Sequence, residues 1–454
     1  MAIESVNPTT GERIRRYEEW SPARVDKALV DAEDAFPPWR DAGLETRLGL
    51  LRACASLLRR DADTHASLIT TEMGKPVRQA RAEVEKCAWV LEHYADKAPD
   101  FLAPDPAQTD AASSYAAFRP LGPLLAVMPW NFPYWQVFRF AAPALAAGNA
   151  VLLKHASNVP ACATAIEQVF RDAGLPEAVF QTLLIGAPAV ERLLETDAVR
   201  AVTLTGSEAA GRKVARKAGD RLKKSVMELG GSDPFVVLED ADVEEAAKTG
   251  ALSRCQNSGQ SCIAAKRFVV VEAVFERFLE RFRAAMEALV TGDPAEEATD
   301  VGPQARGEFL DVLEKQVAGS VGKGAGIVLG GTPLEGPGFF YPPTILTGVA
   351  RGMPVADEEV FGPVAPVFRV ADEAEALRVA NDSRFGLGAS VWTADAARGE
   401  RFAARVEAGA VFVNGMVKSD PRLPFGGVKR SGFGRELGRY GMLEFVNVQT
   451  VWVR

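Results

Sequence analysis

Residues 255–266 read CQNSGQSCIAAK, and Cys262 within them sets the chemistry that the chain must house. Asn257, Gly259, Gln260 and Ser261 precede it, and a glycine there lets the backbone turn tightly. Such a turn can present a thiol together with its own N–H to a bound carbonyl. Taken alone, a cysteine is usually a small buried apolar residue. A tight glycine turn is a poor place for a packing residue, so the reading as a nucleophile prevails.

Working outward, Glu228-Leu229-Gly230-Gly231 closes a strand-like run with a carboxylate beside two glycines. The glycines let backbone approach a ligand, and the carboxylate can activate a water. Further upstream, Pro129-Trp130-Asn131-Phe132-Pro133 holds a side-chain amide rigidly between two prolines. Asn131 and the Cys262 N–H are therefore the expected donors to an oxyanion, with Glu228 as the base. No histidine lies close to Cys262 in sequence. An aldehyde is electrophilic enough for a thiolate to attack without a full proton relay. The chain shows no motif for flavin, haem or metal, so if the attacked carbonyl is oxidised, a nicotinamide is the expected hydride acceptor. No GxGxxG occurs, but Leu204-Thr205-Gly206-Ser207-Glu208-Ala209-Ala210-Gly211 reads as a strand running through a glycine into a helix N-terminus. Free N–H groups and the helix dipole at Gly206 and Ser207 suit a pyrophosphate.

The chain around these motifs has 454 residues, more than one hydrophobic core organises. Up to about residue 100 it reads mainly as helices: Ser21 to Ala35, Leu44 to Asp61 and Lys75 to Ala98, with Pro37-Pro38 as punctuation. A polar connector with one strand follows. From Leu124 short apolar runs alternate with helical patterns: LLAVM, AVLLK, FQTLLIG, AVTLTG and SVMELG. That rhythm predicts a parallel, doubly wound sheet. PFVVL, RFVVV, GIVLG, APVFRV, SVWT and VFVN mark a second α/β domain, and the tail LEFVNVQTVWVR alternates like a half-buried strand in need of a neighbour.

A net charge of −8 gives no electrostatic reason to expect nucleic acid or an anionic membrane as partner. Five scattered cysteines make no disulfide framework, and with three histidines there is no metal-ligand spacing. The most apolar stretch, Phe140 to Leu153, is short and broken by Pro143, Gly148 and Asn149, so no spanning helix is expected. MAIESVNPTTGERI lacks a signal pattern, and cytoplasm is the expected location.

The order of Asn131, Glu228 and Cys262, each in its motif, resembles the aldehyde dehydrogenase superfamily. Glu358-Glu359-Val360-Phe361-Gly362-Pro363 and Pro424-Phe425-Gly426-Gly427-Val428-Lys429-Arg430-Ser431-Gly432 extend the resemblance over nearly the whole chain. It implies two doubly wound α/β domains plus a small β oligomerisation element. Residues 1–109 and 124–230 would bind the dinucleotide, 231–433 would be catalytic, and 110–123 with 434–454 would join a homodimer or homotetramer. It also implies that Trp130 borders the cofactor, Lys154 contacts the adenosine ribose, Glu359 holds the nicotinamide ribose and Phe361 packs near the nicotinamide ring.

Two departures bear on specificity. Many NAD-using members have an acidic residue three positions after the lysine, and this chain has Ser157 there. A carboxylate would repel a 2′-phosphate whereas serine can donate to it, so NADP is expected in preference to NAD. The plain alternative is that Ser157 caps the following helix. The second departure concerns the aldehyde. Arg139 matches an arginine that binds the distal carboxylate in succinate semialdehyde dehydrogenases, and KHASNVP and VKSDPRLPFGG resemble the short bacterial members of that group. Some of these carry a second arginine just before the motif asparagine, where Gln256 stands here, so clamping would rely on Arg139 with Ser419 and Ser261. Trp135 lines the aldehyde tunnel on this reading, with core packing as its alternative. Ala264 occupies the place of a second cysteine found in redox-regulated relatives, so no disulfide switch is expected. The rivals are a dehydrogenase for glutarate semialdehyde or an uncharged aldehyde, a cysteine hydrolase using His155, and a catalytically silent protein on the same fold.

Overall fold

The computed structural model describes residues 3–454. Its first large sheet has six strands in the order Gly432–Phe433, Lys224–Glu228, Ala201–Thr205, Pro123–Val127, Ala150–Lys154 and Phe180–Thr182. Neighbours run parallel except at the Gly432–Phe433 edge. The chain enters at Pro123–Val127, winds out to Phe180–Thr182, and returns to the other side at Ala201–Thr205. The strand order reverses between Pro123–Val127 and Ala201–Thr205, and a doubly wound sheet binds its ligands outside the carboxyl ends of the strands at such a point. Pro129 to Asn131 and Gly206-Ser207 leave the sheet there.

The near-continuous apolar runs are explained by burial on both faces. Leu124, Ala126, Val151 and Leu153 face a core shared with the helices Leu44–Arg60, Val77–Phe101 and Trp135–Ala146. The alternate residues Leu125, Leu152, Val202 and Leu204 face a second core with Val25 and Leu29 of Pro22–Asp41 and Val214 of Glu208–Asp220. The second sheet has seven strands, ordered Gly326–Leu329, Thr344–Thr347, Val364–Val370, Ala265–Val271, Asp233–Val237, Gly388–Trp392 and Ala410–Val413. It is parallel but for its first strand, and it carries its own core around Phe235, Phe268, Phe282 and Trp392. Val446–Val453, Ser113–Pro120 and Asp105–Pro106 form a third, antiparallel sheet. No helix among the described residues is long and apolar enough to cross a membrane.

Several elements depart from expectation. Pro37 and Pro38 lie inside the helix Pro22–Asp41 instead of ending it. The carbonyls they leave without an N–H partner, on Glu33 and Asp34, belong to exposed residues, and burial of Trp39 anchors the last turn. A helix at Ala62–Met73 was not expected, although Ala66, Ile69 and Met73 have helical spacing. Ile3–Val6 and Arg13–Tyr17 pair as a hairpin within the stretch read as helical, and Thr344–Thr347 adds a strand to the second sheet.

Candidate active site

Cys262 follows a backbone strained in the way its sequence suggested. Asn257 (φ 54°), Ser258 (φ 55°) and Gly259 (φ 75°) lie consecutively in the left-handed region. Only glycine fits at 259, because a Cβ would overlap the Gly362 backbone of the Glu359–Pro363 motif. The two non-glycine residues are held by hydrogen bonds. Asn257 Nδ2 donates to Asn131 O (2.7 Å) and Gln260 O (3.0 Å), and its own N–H donates to Gln79 Oε1 (2.7 Å). Asn131 Nδ2 donates to the same Gln260 O (3.0 Å), so the asparagine motif and the cysteine turn are tied together. An amide nitrogen has two N–H groups, which leaves Asn131 one to offer an oxyanion.

Cys262 and Asn131 line one cavity of about 250 Å³ at the switch point, together with Trp130, Gly206, Ser207, Gly230, Glu359 and Phe361. Its walls are aromatic: Trp130 stacks on Phe309 at 4.8 Å and meets Phe361 edge-on at 5.8 Å. Ser207 caps the helix Glu208–Asp220 by accepting from Ala210 N–H (3.3 Å). Glu359 accepts from Gly231 N–H (3.1 Å) and lies 3.4 Å from the Lys266 ammonium. A flat apolar slot, glycine backbone and a helix N-terminus suit the nicotinamide and phosphate parts of a dinucleotide. Lys154 ends the next strand, buried and without a carboxylate partner among the described residues. Ser157 lies beyond it but does not cap the helix Pro160–Asp172, whose N-cap is Val159 with no side-chain bond.

Electrostatics around the thiol are set by burial. Desolvation pushes Cys262 up to about 12, opposed by the charges of Lys266 and Arg139. Lys266 Nζ donates to Ser261 O (2.8 Å) and Cys262 O (2.6 Å), fastening the cysteine turn to the strand Ala265–Val271. Glu228, fully buried at its strand end, is raised well above the usual carboxylate range by desolvation and by Glu436. Its side chain lies against Gly426, within the field of Arg139.

Four residues brace the site from outside the segments that carry Asn131, Glu228 and Cys262. Glu83 Oε1 accepts from Tyr134 N–H (2.9 Å) and Trp135 N–H (3.0 Å), capping the helix that follows Asn131. Its other oxygen pairs with buried Lys75, whose ammonium lies 3.7 Å above the Phe132 ring. His155 donates from Nε2 to Pro133 O (2.8 Å) and accepts Ala156 N–H at Nδ1 (2.8 Å). Both nitrogens are occupied and burial lowers the ring to about 4, so it is a neutral brace and not a base for Cys262. Glu436 is the fourth, and it meets Arg139. That arginine is buried, ion-paired with Glu436, packed on Phe425 at 4.7 Å and 3.4 Å from Thr205 Oγ1. A guanidinium so enclosed must be neutralised within the fold, and the chain itself supplies the carboxylate. Nε is the nitrogen that meets Glu436, and the terminal nitrogens of Arg139 still carry N–H groups with no second carboxylate against them among the described residues. Trp135 and Ser419 are buried away from the cofactor cavity, where Ser419 Oγ accepts from Lys86 Nζ (2.9 Å). Ser261, also buried, contributes its carbonyl to Lys266. Cys255 contacts Met286, and all five cysteines are free. No metal-holding cluster occurs among the described residues.

A thiol and a side-chain amide on the wall of a cleft with an aromatic slot, glycine backbone and a helix N-terminus fit a nicotinamide-dependent oxidoreductase. The chain belongs to the aldehyde dehydrogenase family, whose model matches residues 1–451. It is 52% identical over 453 residues to a probable NADP-dependent succinate-semialdehyde dehydrogenase of Synechocystis sp., covering all of both chains. It is 50% identical to the NADP-dependent succinate-semialdehyde dehydrogenase of Mycobacterium avium, covering all of this chain and 97% of that one. Among solved structures, the succinic semialdehyde dehydrogenase of Streptococcus pyogenes in complex with NADP matches with a TM-score of 0.97 at 36% identity, covering 99% of each chain.

Proposed function

We propose that the protein oxidises succinate semialdehyde to succinate with NADP in preference to NAD. The observation that carries this reading is the convergence of Cys262 and Asn131 on the wall of one cavity with Trp130, Phe361, Gly206 and Ser207. The Cys262 sulfur attacks the aldehyde carbon, and a C–S bond forms as the carbonyl oxygen takes up charge. Asn131 Nδ2 and the Cys262 N–H receive that oxygen. Lys266 and Arg139 favour the thiolate against the burial that opposes it. Bound NADP supplies the hydride acceptor for oxidation to the thioester. Glu228 then takes a proton from water, whose oxygen displaces the Cys262 sulfur and releases the acid. Burial makes Glu228 a strong base once it has lost its own proton.

Lys154 and Ser157 hold the adenosine ribose and its 2′-phosphate; the free lysine charge and the absence of a capping duty for Ser157 support this. Residues 1–109 with 124–230 form the bulk of the dinucleotide unit, 231–433 the catalytic unit, and 110–123 with 434–454 the joint of a cytoplasmic homodimer or homotetramer, with Asp105–Pro106 added to the joint's sheet and Pro123 and Gly432–Phe433 to the dinucleotide sheet. Exposed Val448, Trp452 and Val453 on the third sheet support such a joint. The test is reduced-nicotinamide absorbance with succinate semialdehyde and either NADP or NAD. Turnover with NADP exceeding that with NAD is expected. Activity confined to neutral aldehydes would overturn the substrate, and activity confined to NAD would overturn the cofactor preference.

A further inference from the structure

Behind the reacting thiol lies a buried cation that two distant motifs share. Lys266, fully buried near the start of the strand Ala265–Val271, donates to Cys262 O (2.6 Å) and Ser261 O (2.8 Å). That uses two of its three N–H groups, and Glu359 Oε1 stands 3.4 Å from the same nitrogen. Glu359 Oε1 also accepts from Gly231 N–H (3.1 Å), so one carboxylate oxygen serves both the ammonium behind Cys262 and the glycine pair after Glu228. The glycine pair makes room for this arrangement. A Cβ at Gly230 would overlap the Glu359 carboxylate, and one at Gly231 would come within 2.6 Å of Cys262 O. Among the described residues Glu359 is the one carboxylate within ion-pair distance of Lys266. The other charges acting on that ammonium have partners of their own: Asp233 accepts from Gly388 N–H (3.0 Å), and Arg254 donates to Gly259 O (2.8 Å). A buried ammonium needs a counter-charge, and here it stands on the wall of the cavity, with the Glu359 side chain 22% exposed.

We propose that Glu359 restrains Cys262 through Lys266: the Lys266 ammonium favours the thiolate, Glu359 offsets that ammonium, and their balance sets how readily the thiol reacts. Lys266 is the positioning residue of the three, since it holds the Cys262 main chain and reaches the sulfur by charge alone. Burial raises the Cys262 thiol, Lys266 and Arg139 act against that rise, and Glu359 and Asp233 add to it. These signs agree with the geometry. This inference rests on the reading of Cys262 as nucleophile, and it gives Glu359 a task beyond contact with a ribose.

Wild type, Lys266→Met, Glu359→Gln and the double variant are compared as apoenzymes by the rate of alkylation with iodoacetamide, with peptide mapping of the label. The reagent is neutral, so its approach does not depend on the charges removed. At neutral pH, Lys266→Met is expected to slow labelling of Cys262 by about 10-fold. Glu359→Gln keeps the side chain's shape and an acceptor for Gly231 N–H, and it should quicken labelling by about 3- to 10-fold. The double variant should fall between the two. The pH–rate profile should shift to higher pH in Lys266→Met and to lower pH in Glu359→Gln. Opposite signs follow from a balance of charges, whereas damage to the cysteine turn would move both variants the same way. Shifts of one sign, or no change in Glu359→Gln, would overturn the proposal. If Lys266→Met does not fold, Glu359→Gln decides alone, and a rate equal to or below that of the wild type would overturn the restraint. A label carried by another cysteine would overturn the parent reading of Cys262 itself. The assay needs no turnover, so the identity of the aldehyde does not enter it.

Discussion

On its cofactor side Cys262 faces glycine backbone, a helix N-terminus and the aromatic walls of Trp130 and Phe361, while the region around Arg139 is crowded with charged side chains. The first region is shaped by the main chain, and its parts come from short segments that each fold locally. The second is shaped by pairs that meet across the fold: Glu83 with the Tyr134–Trp135 backbone, Arg139 with Glu436, and Lys86 with Ser419, which lies 333 residues away. The contrast separates two tasks. A dinucleotide presents the same shape and charge in every turnover and suits a preformed groove. On the proposed reading, a small aldehyde with a remote charge would be sorted by where the charges around Arg139 stand.

Removing the group the two regions share should have the largest effect. Cys262→Ala is expected to lower kcat by about 10⁴-fold or more with succinate semialdehyde, leaving NADP affinity by fluorescence titration nearly unchanged. If that variant turned over near the wild-type rate, covalent catalysis at Cys262 would be wrong. Asn131→Ala should cost about 10²- to 10³-fold in kcat, by loss of an oxyanion donor. A change in KM alone would instead make Asn131 a substrate-binding residue. On the cofactor side, Ser157→Glu should raise KM for NADP by about 10- to 100-fold and improve the use of NAD, because a carboxylate repels the 2′-phosphate. Equal loss with both cofactors would mean that Ser157 supports the loop and does not read the phosphate.

A smaller effect tests the electrostatics. Thiolate is the form that reacts, and burial holds the Cys262 proton on up to about 12. Below that value the thiolate fraction rises as pH rises, so alkylation of Cys262 in the apoenzyme should quicken about tenfold per pH unit above neutrality. A plateau near neutral pH would show that Lys266 and Arg139 outweigh desolvation.

The same contrast governs what could be read from the amino acids alone. Asn257 to Gly259, Gly206-Ser207 and the strands Ala150–Lys154 and Ala201–Thr205 were legible because glycine placement and apolar runs act within a few residues. Arg139 was found as a buried cation, but its partner was not, because nothing in the Gly434–Leu437 stretch marks Glu436 as facing a helix near Asn131. Glu83 and Lys86 share the helix Val77–Phe101 with many solvated charges, and only tertiary packing sets them apart. Pro37-Pro38 misled for a related reason, since burial of Trp39 carried the helix through them.

The most direct measurement is mass spectrometry of the Glu228→Gln variant, quenched during turnover with succinate semialdehyde and NADP. With the water-activating carboxylate removed, a succinyl thioester should accumulate, and peptide mapping should locate it on Cys262. No covalent adduct, or one on another residue, would contradict the assignment of Cys262 as nucleophile and Glu228 as the base that releases the acid.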